Sequence, residues 1–198
     1  QIGTDSVFGY FDKANGDLKN INKINFQNVG VNSILFYMAN NSDVNVDSDF
    51  TLTTGGVFPG TTAGFISENS KISLDIGRTY TTNTGVGLTA QSVNGKTFSD
   101  GTVVNINKSK TGAENRGTII MTSANAVGIY TKYGTSLNNS TGLINIIGTD
   151  GIGMYSEEEA DIANSGKITL NNTGTIGLFG KGNSGTQLGI STDTVNIV

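Results

Sequence analysis

Asn115-Arg116-Gly117-Thr118-Ile119-Ile120-Met121, a turn, and then Val127-Gly128-Ile129-Tyr130 form a pattern that the chain repeats twice more. The second copy contains Gly142-Leu143-Ile144-Asn145-Ile146 and Ile152-Gly153-Met154-Tyr155. The third contains Asn164-Ser165-Gly166-Lys167-Ile168-Thr169-Leu170 and Ile176-Gly177-Leu178-Phe179. Gly117, Gly142 and Gly166 recur at nearly even spacing, Gly128, Gly153 and Gly177 recur at the same spacing, and the offset between the two glycines is identical in each copy. Two registers kept together over three copies identify a structural repeat of about 24 residues.

Working back from this stretch, Ala63-Gly64-Phe65 and Val86-Gly87-Leu88 take the Val127-Gly128-Ile129 position, one repeat apart, and a much longer interval then leads from Gly87 to Gly128. That interval fits an enlarged coil with a strand at Thr102-Val103-Val104-Asn105-Ile106, and Ile72-Ser73-Leu74 matches the Ile168-Thr169-Leu170 strand. Nearer the start, Ile34-Leu35-Phe36-Tyr37, Val44-Asn45-Val46 and Phe50-Thr51-Leu52 read as three strands of one coil. The reading is one segment of six or seven coils over residues 1–198: a candidate N-terminal cap at 1–27, irregular coils at 28–110 and regular coils at 111–198.

Short β-branched runs separated by Gly, Asn, Asp and Ser clusters are strands joined by tight turns, because those residues accept positive φ or bond locally to the backbone. Alternation then assigns faces. Ile119, Ile144 and Ile168 should point inward as one stack, and Met121, Ile146 and Leu170 as a second. Val127, Ile152 and Ile176 should make a third, and Ile129, Met154 and Leu178 a fourth. Such stripes are buried only when coils stack. Glycine density argues against an amphipathic helix, a propeller blade needs a longer repeat, and the LxxLxL pattern of a leucine-rich repeat is missing. The predicted fold is all-β, a right-handed parallel β-helix.

Composition narrows the function. The chain has no His, no Cys, no Trp and one proline, Pro59, against 28 Gly and two dozen Asn. Without Cys there is no disulfide framework or thiolate metal site, and without His the usual general base and commonest metal ligand are missing. A net charge of −4 argues against nucleic acid, which needs clustered Lys and Arg. No apolar run approaches the length of a membrane span, and any targeting segment lies outside these residues.

The pattern Asn-x-Gly-x-Ile-x-Leu, a turn, then Gly-[Ile/Leu/Met]-[Tyr/Phe], resembles the passenger repeats of large autotransporter adhesins of type V secretion, in the Asn-, Lys- and Ile-rich form of the fusobacterial-type proteins. The likeness runs from about residue 28 to residue 198. It implies an exported, outer-membrane-anchored virulence factor at the cell surface, with a β-helical stalk, a C-terminal translocator barrel elsewhere in the full-length protein, and adhesion to a protein or glycan of host cells or other bacteria. The barrel and any known ligand motif are absent from these residues, so the resemblance reaches the architecture and assigns no site residue.

Parallel β-helices also include polysaccharide lyases and glycoside hydrolases, so each polar cluster is weighed as a site. Glu157-Glu158-Glu159 with Asp161 is the densest acidic run, and three adjacent carboxylates at a turn read as a solvated loop. A lyase would set acids beside basic residues on neighbouring coils, and neither Arg78 nor Arg116 sits in an evident acidic stack. Asp43, Asp47 and Asp49 read as turn acids rather than calcium ligands, and Gly180-Lys181-Gly182-Asn183-Ser184-Gly185 matches G-x-G-x-x-G without the helix a dinucleotide site needs. No catalytic, cofactor-binding or metal-ligating residue is assigned, and no cofactor is expected.

Tyr130, Tyr155 and Phe179 share one repeat position. By alternation they form an outward ladder about 4.8 Å apart, a candidate surface for a protein or glycan. The more ordinary arrangement, set slightly ahead of it, has the chain turn there and the rings pack inward. Asn115, Asn139 and Asn164 align as an amide ladder at a turn. At the ends, Val7, Phe8, Tyr10 and Phe11 are expected to cover the core, and Thr194-Val195-Asn196-Ile197-Val198 reads as a core strand at a solenoid cut mid-way, giving either a monomer or weak end-to-end association. Three functional readings follow: an adhesin segment, a carbohydrate-active enzyme and a structural spacer.

Overall fold

A computed structural model describes residues 6–21, 26–29, 33–54, 63–92, 96–97, 103–104, 110–158, 160–181, 187–190 and 195–197. The first coil is β1 (Val7–Asp12), β2 (Asn15–Lys19) and β3 (Phe26–Val29). The second is β4 (Ile34–Ala39), β5 (Asp43–Asp47) and β6 (Phe50–Thr54), and the third is β7 (Ala63–Glu68), β8 (Lys71–Leu74) and β9 (Thr79–Thr82). The fourth opens with β10 (Val86–Gln91), passes through β11 (Lys96–Thr97) and β12 (Val103–Val104), and closes with β13 (Gly112–Asn115) and β14 (Thr118–Met121). Three regular coils complete the solenoid: β15 (Val127–Lys132), β16 (Thr135–Asn138) and β17 (Leu143–Ile146); β18 (Ile152–Glu157), β19 (Asp161–Asn164) and β20 (Lys167–Leu170); β21 (Ile176–Lys181), β22 (Gln187–Ile190) and β23 (Val195–Ile197).

Each coil gives one strand to each of three seven-stranded sheets. The first sheet runs β1-β4-β7-β10-β15-β18-β21, the second β2-β5-β8-β13-β16-β19-β22, and the third β3-β6-β9-β14-β17-β20-β23. All neighbours in these sheets are parallel, and apart from a register shift between Gln27 and Val29 where β3 meets β6 they keep register, for example Ile119 beside Ile144 and Ile144 beside Ile168. The fold is the predicted right-handed parallel β-helix, about 29 Å long along its axis at ~4.8 Å per strand. In the enlarged fourth coil, Val103–Val104 pairs antiparallel with Lys96–Thr97. That excursion holds a hairpin, and the other residues of the expected Thr102–Ile106 strand lie outside the described set.

Turn chemistry explains the asparagines. The corner between the first and second sheets is left-handed at Lys13, Asn40, Asn41, Asn69, Tyr133 and Glu158, and the corner leading into the next coil is left-handed at Asn125, Asp150 and Gly174. Asn and Asp tolerate this conformation better than other non-glycine residues.

The core is a set of columns. Ile119, Ile144 and Ile168, and beside them Met121, Ile146 and Leu170, are buried as expected. Each such side chain contributes about 1.5–3 kcal/mol on burial. Ile129 and Met154 are fully buried and Leu178 packs against them. The expected third inward stack is corrected. Val127 and Ile152 are half-buried and Ile176 is 40% exposed, all on the outer face. Gly128 and Gly153 break the alternation: a Cβ on Gly128 would lie 2.6 Å from the Gly153 carbonyl oxygen and 2.6 Å from Ile144 Cγ2, so two consecutive positions turn inward and the faces restart.

A second correction concerns Ile72-Ser73-Leu74. This is β8 of the second sheet, in register with β5 and β13, whereas Ile168-Thr169-Leu170 is β20 of the third. The true counterpart in that coil is β9, where Tyr80 lies beside Ile119. Tyr80 is fully buried, stacks on Phe50 with centroids 4.4 Å apart, and points its hydroxyl at the space an added Cβ on Gly64 would fill. At the two ends, β1 lies in register with β4 as a strand of the first sheet, with Phe11 against the core while Val7, Phe8 and Tyr10 are exposed, and β23 lies in register with β20.

Candidate functional site

The outer face of the first sheet carries three parallel columns across the last three coils. Val127, Ile152 and Ile176 make an aliphatic ridge. Tyr130, Tyr155 and Phe179 run beside it, and Lys132, Glu157 and Lys181 run along the far side. The aromatic ladder faces outward, so the arrangement set ahead of it in the sequence reading, rings packed inward, is not the one observed. Tyr130 and Tyr155 are half-buried and Phe179 is 36% exposed. Alternation after Gly128, Gly153 and Gly177 sends Ile129, Met154 and Leu178 inward and the rings out.

The rings stack with centroids 5.5 and 5.2 Å apart and planes inclined by 13° and 18°. Offset stacks of this kind add about 0.5–1.5 kcal/mol per pair beyond their area. The same column opens with Tyr10 and Tyr37, stacked at 5.6 Å, and its middle positions are Ile66 and Thr89. Near-parallel rings partly cover one another's faces, so the surface offered outward is ring edge plus the neighbouring aliphatic ridge.

The acidic run is absorbed by this face. Both Tyr130 and Tyr155 donate their hydroxyls to Glu157, the second at 3.1 Å. Lys132 lies 3.6 Å from Glu157 and 3.3 Å from Glu158. Asp161 is set apart in β19, and Glu159 lies outside the described residues. Burial first and the Glu157 hydrogen bond second hold the Tyr130 phenol above its ordinary range, and the same causes raise Tyr155. Burial and then Glu68 raise Tyr37, while enclosure pushes Tyr80 up to about 12.

These shifts have a definite sign. A tyrosine whose folded pKa lies above the ordinary ~10 favours the folded state below that pH, and the contribution is lost as pH rises through the folded value. Spectrophotometric titration should therefore show Tyr37, Tyr80, Tyr130 and Tyr155 ionising late, with stability falling above pH ~10. Tyr130→Phe should remove one late phenol, and simple titration of every tyrosine near ~10 would contradict the geometry.

The aspartates separate. Asp47 Oδ1 accepts from Arg78 at 2.8 Å, Asp49 Oδ1 accepts the Thr79 backbone N–H at 2.7 Å, and Asp43 stands apart on the second sheet's outer face. Among the described residues no three carboxylates converge as a metal site. The G-x-G-x-x-G stretch runs beyond Lys181 into residues outside the described set.

The arginines require another correction, because both meet carboxylates of the preceding coil. Arg78 pairs with Asp47, and Arg116 Nη2 lies 3.3 Å from Asp75. Arg116 Nη2 also donates to Asn45 Oδ1 at 2.8 Å and to Ser73 Oγ at 3.3 Å, so its side chain straps the fourth coil to the third and second. Sequence spacing hides this arrangement, since Arg116 and Asn45 are 71 residues apart.

The amide ladder exists but runs through Asn138 instead of Asn139. Asn115 Nδ2 donates to Asn138 Oδ1 at 2.8 Å, and Asn138 Nδ2 donates to Asn164 Oδ1 at 2.7 Å. All three are fully buried, continuing inside the second sheet the column that Val46 and Leu74 occupy in earlier coils. Asn139 lies at the surface turn and donates to Glu114. Comparison with protein-family models, with curated proteins and with solved structures finds no match.

Proposed function

We propose that the chain is a segment of a bacterial cell-surface adhesin, exported as an autotransporter passenger, that binds a protein or glycan of host cells or other bacteria without turning it over. The observation that carries this reading is the outward stripe of Val127, Ile152 and Ile176 beside Tyr130, Tyr155 and Phe179. An apolar strip edged by Lys132, Glu157 and Lys181 on a rigid parallel scaffold has the make-up of a binding surface. The passenger-like repeat supports the same reading, with the translocator barrel in another part of the full-length protein.

A second reading, a carbohydrate-active enzyme, draws on the two arginines set against acids of neighbouring coils. One experiment separates the two: the purified chain is presented to host and bacterial cells and to a glycan array, and polysaccharides are assayed for chain cleavage. Adherence that falls about tenfold in an Ile176→Glu, Phe179→Ser variant with unchanged melting is the expected result. Released sugar products would replace the adhesin with the enzyme, and neither adherence nor cleavage would leave a spacer.

A further inference from the structure

We infer that Tyr130 and Tyr155 are a cross-linking site, at which a one-electron oxidant joins the two rings by a carbon–carbon bond and staples the fifth coil to the sixth. The inference concerns the covalent chemistry of the stripe and holds whatever the stripe binds. Composition directs oxidation to the tyrosines. The chain has no Cys, Trp or His, and its three methionines, Met38, Met121 and Met154, are fully buried. Of the six tyrosines, Tyr80 is enclosed in the core, so the phenols within reach are Tyr10, Tyr37, Tyr130, Tyr133 and Tyr155.

Geometry selects the pair. Tyr130 and Tyr155 stand in register on adjacent strands, about 4.8 Å apart at the backbone, with ring centroids 5.5 Å apart and planes inclined by 13°. Their column continues with Thr89 on one side and Phe179 on the other, so each ring has one tyrosine neighbour in the column. Rotation about the side-chain torsions of two rings on the outer surface brings the carbons next to their hydroxyls together. The proton acceptor is built in, because both hydroxyls donate to Glu157, the second at 3.1 Å. Loss of an electron makes a phenol a strong acid, and a carboxylate already in hydrogen-bond contact takes the proton as the electron leaves.

Each phenol gives one electron to the oxidant and its hydroxyl proton to Glu157, which passes it to water before the second event. The two phenoxyl radicals join through the carbons ortho to oxygen. The hydrogen on each of those carbons then moves to the oxygen of its own ring, which restores both hydroxyls and both aromatic rings. The net change is one carbon–carbon bond made, two electrons delivered to the oxidant and two protons released. Tyr10 and Tyr37 stack alike, with centroids 5.6 Å apart and Glu68 as the acceptor for Tyr37, and make the comparison pair.

Brief illumination of the dilute chain with ruthenium tris-bipyridyl and persulfate, a one-electron oxidant system, tests the inference. The expected products are blue dityrosine fluorescence in the monomer, a mass lower by two hydrogens, and Tyr130–Tyr155 as the major link after digestion. Tyr155→Phe should abolish this link with little change in melting. Unfolding in urea should lower its yield about tenfold, because the fold alone holds the rings together. Glu157→Gln keeps a hydrogen-bond acceptor and loses the base, and should slow formation about tenfold. The linked chain should melt about 5 °C higher, since the bond closes a loop in the unfolded chain. Links that favour any other tyrosine pair, dityrosine found only between molecules, a yield undiminished in urea, or a rate indifferent to Glu157→Gln would overturn the site.

Discussion

Ile144→Asp is expected to unfold the middle coils, while Asn145→Asp, one residue along, should change stability by less than about 1 kcal/mol. Ile144 is fully buried between Ile119 and Ile168 in the third sheet, and its Cγ2 fills the space opposite Gly128. An aspartate there would place a charge with no partner among aliphatic side chains. Removing a buried methyl-rich side chain and adding an unpaired polar group costs upwards of ~4 kcal/mol, a large share of the ~5–15 kcal/mol that holds a domain together. Asn145 points outward, half-buried, and its Oδ1 accepts from Asn171, a bond a carboxylate would keep. Denaturant melts of the two variants decide the matter, and equal losses would mean the faces are reversed.

Asn138→Ala is expected to cost about 3–4 kcal/mol, and Asn139→Ala less than about 1. Asn138 accepts from Asn115, donates to Asn164 and reaches the Lys167 carbonyl at 3.3 Å, all inside the core. Its removal leaves a small cavity and the Asn164 Oδ1 acceptor without its donor, and a buried polar atom left unpaired carries a desolvation penalty of about 1–3 kcal/mol. Asn139 loses only a surface bond to Glu114. Thermal denaturation that ranks Asn139→Ala as the worse of the two would show that the ladder is not where the structure puts it.

The Asn138 case shows why part of the candidate site was hidden from sequence. Asn115 and Asn164 each precede their glycine by two residues, but Asn138 precedes Gly142 by four. The additional residues loop out, with Ser140 and Thr141 exposed, so the ladder keeps its place while the spacing changes. Tyr80 was missed for a related reason: its strand, Thr-Tyr-Thr-Thr, lacks the aliphatic pattern of its neighbours, yet a tyrosine fits that column once Gly64 vacates the space.

What the sequence alone determined was the class and period of the fold. Glycines kept in two registers, β-branched strands and asparagine corners encode a local rule, one coil of about 24 residues, and repetition of a local rule needs no knowledge of the rest. It also sufficed for the inward stacks headed by Ile119, Met121 and Ile129, because alternation within one strand is local. The tertiary structure alone decided that Val127, Ile152 and Ile176 turn outward, that the rings of Tyr130, Tyr155 and Phe179 do too, and that Arg116 reaches back to Asn45. These depend on what the adjacent sheet and the preceding coils put in the way. Gly128 turns inward only because Ile144, from another sheet, fills the space its missing side chain leaves, and no periodicity within one strand records that contact.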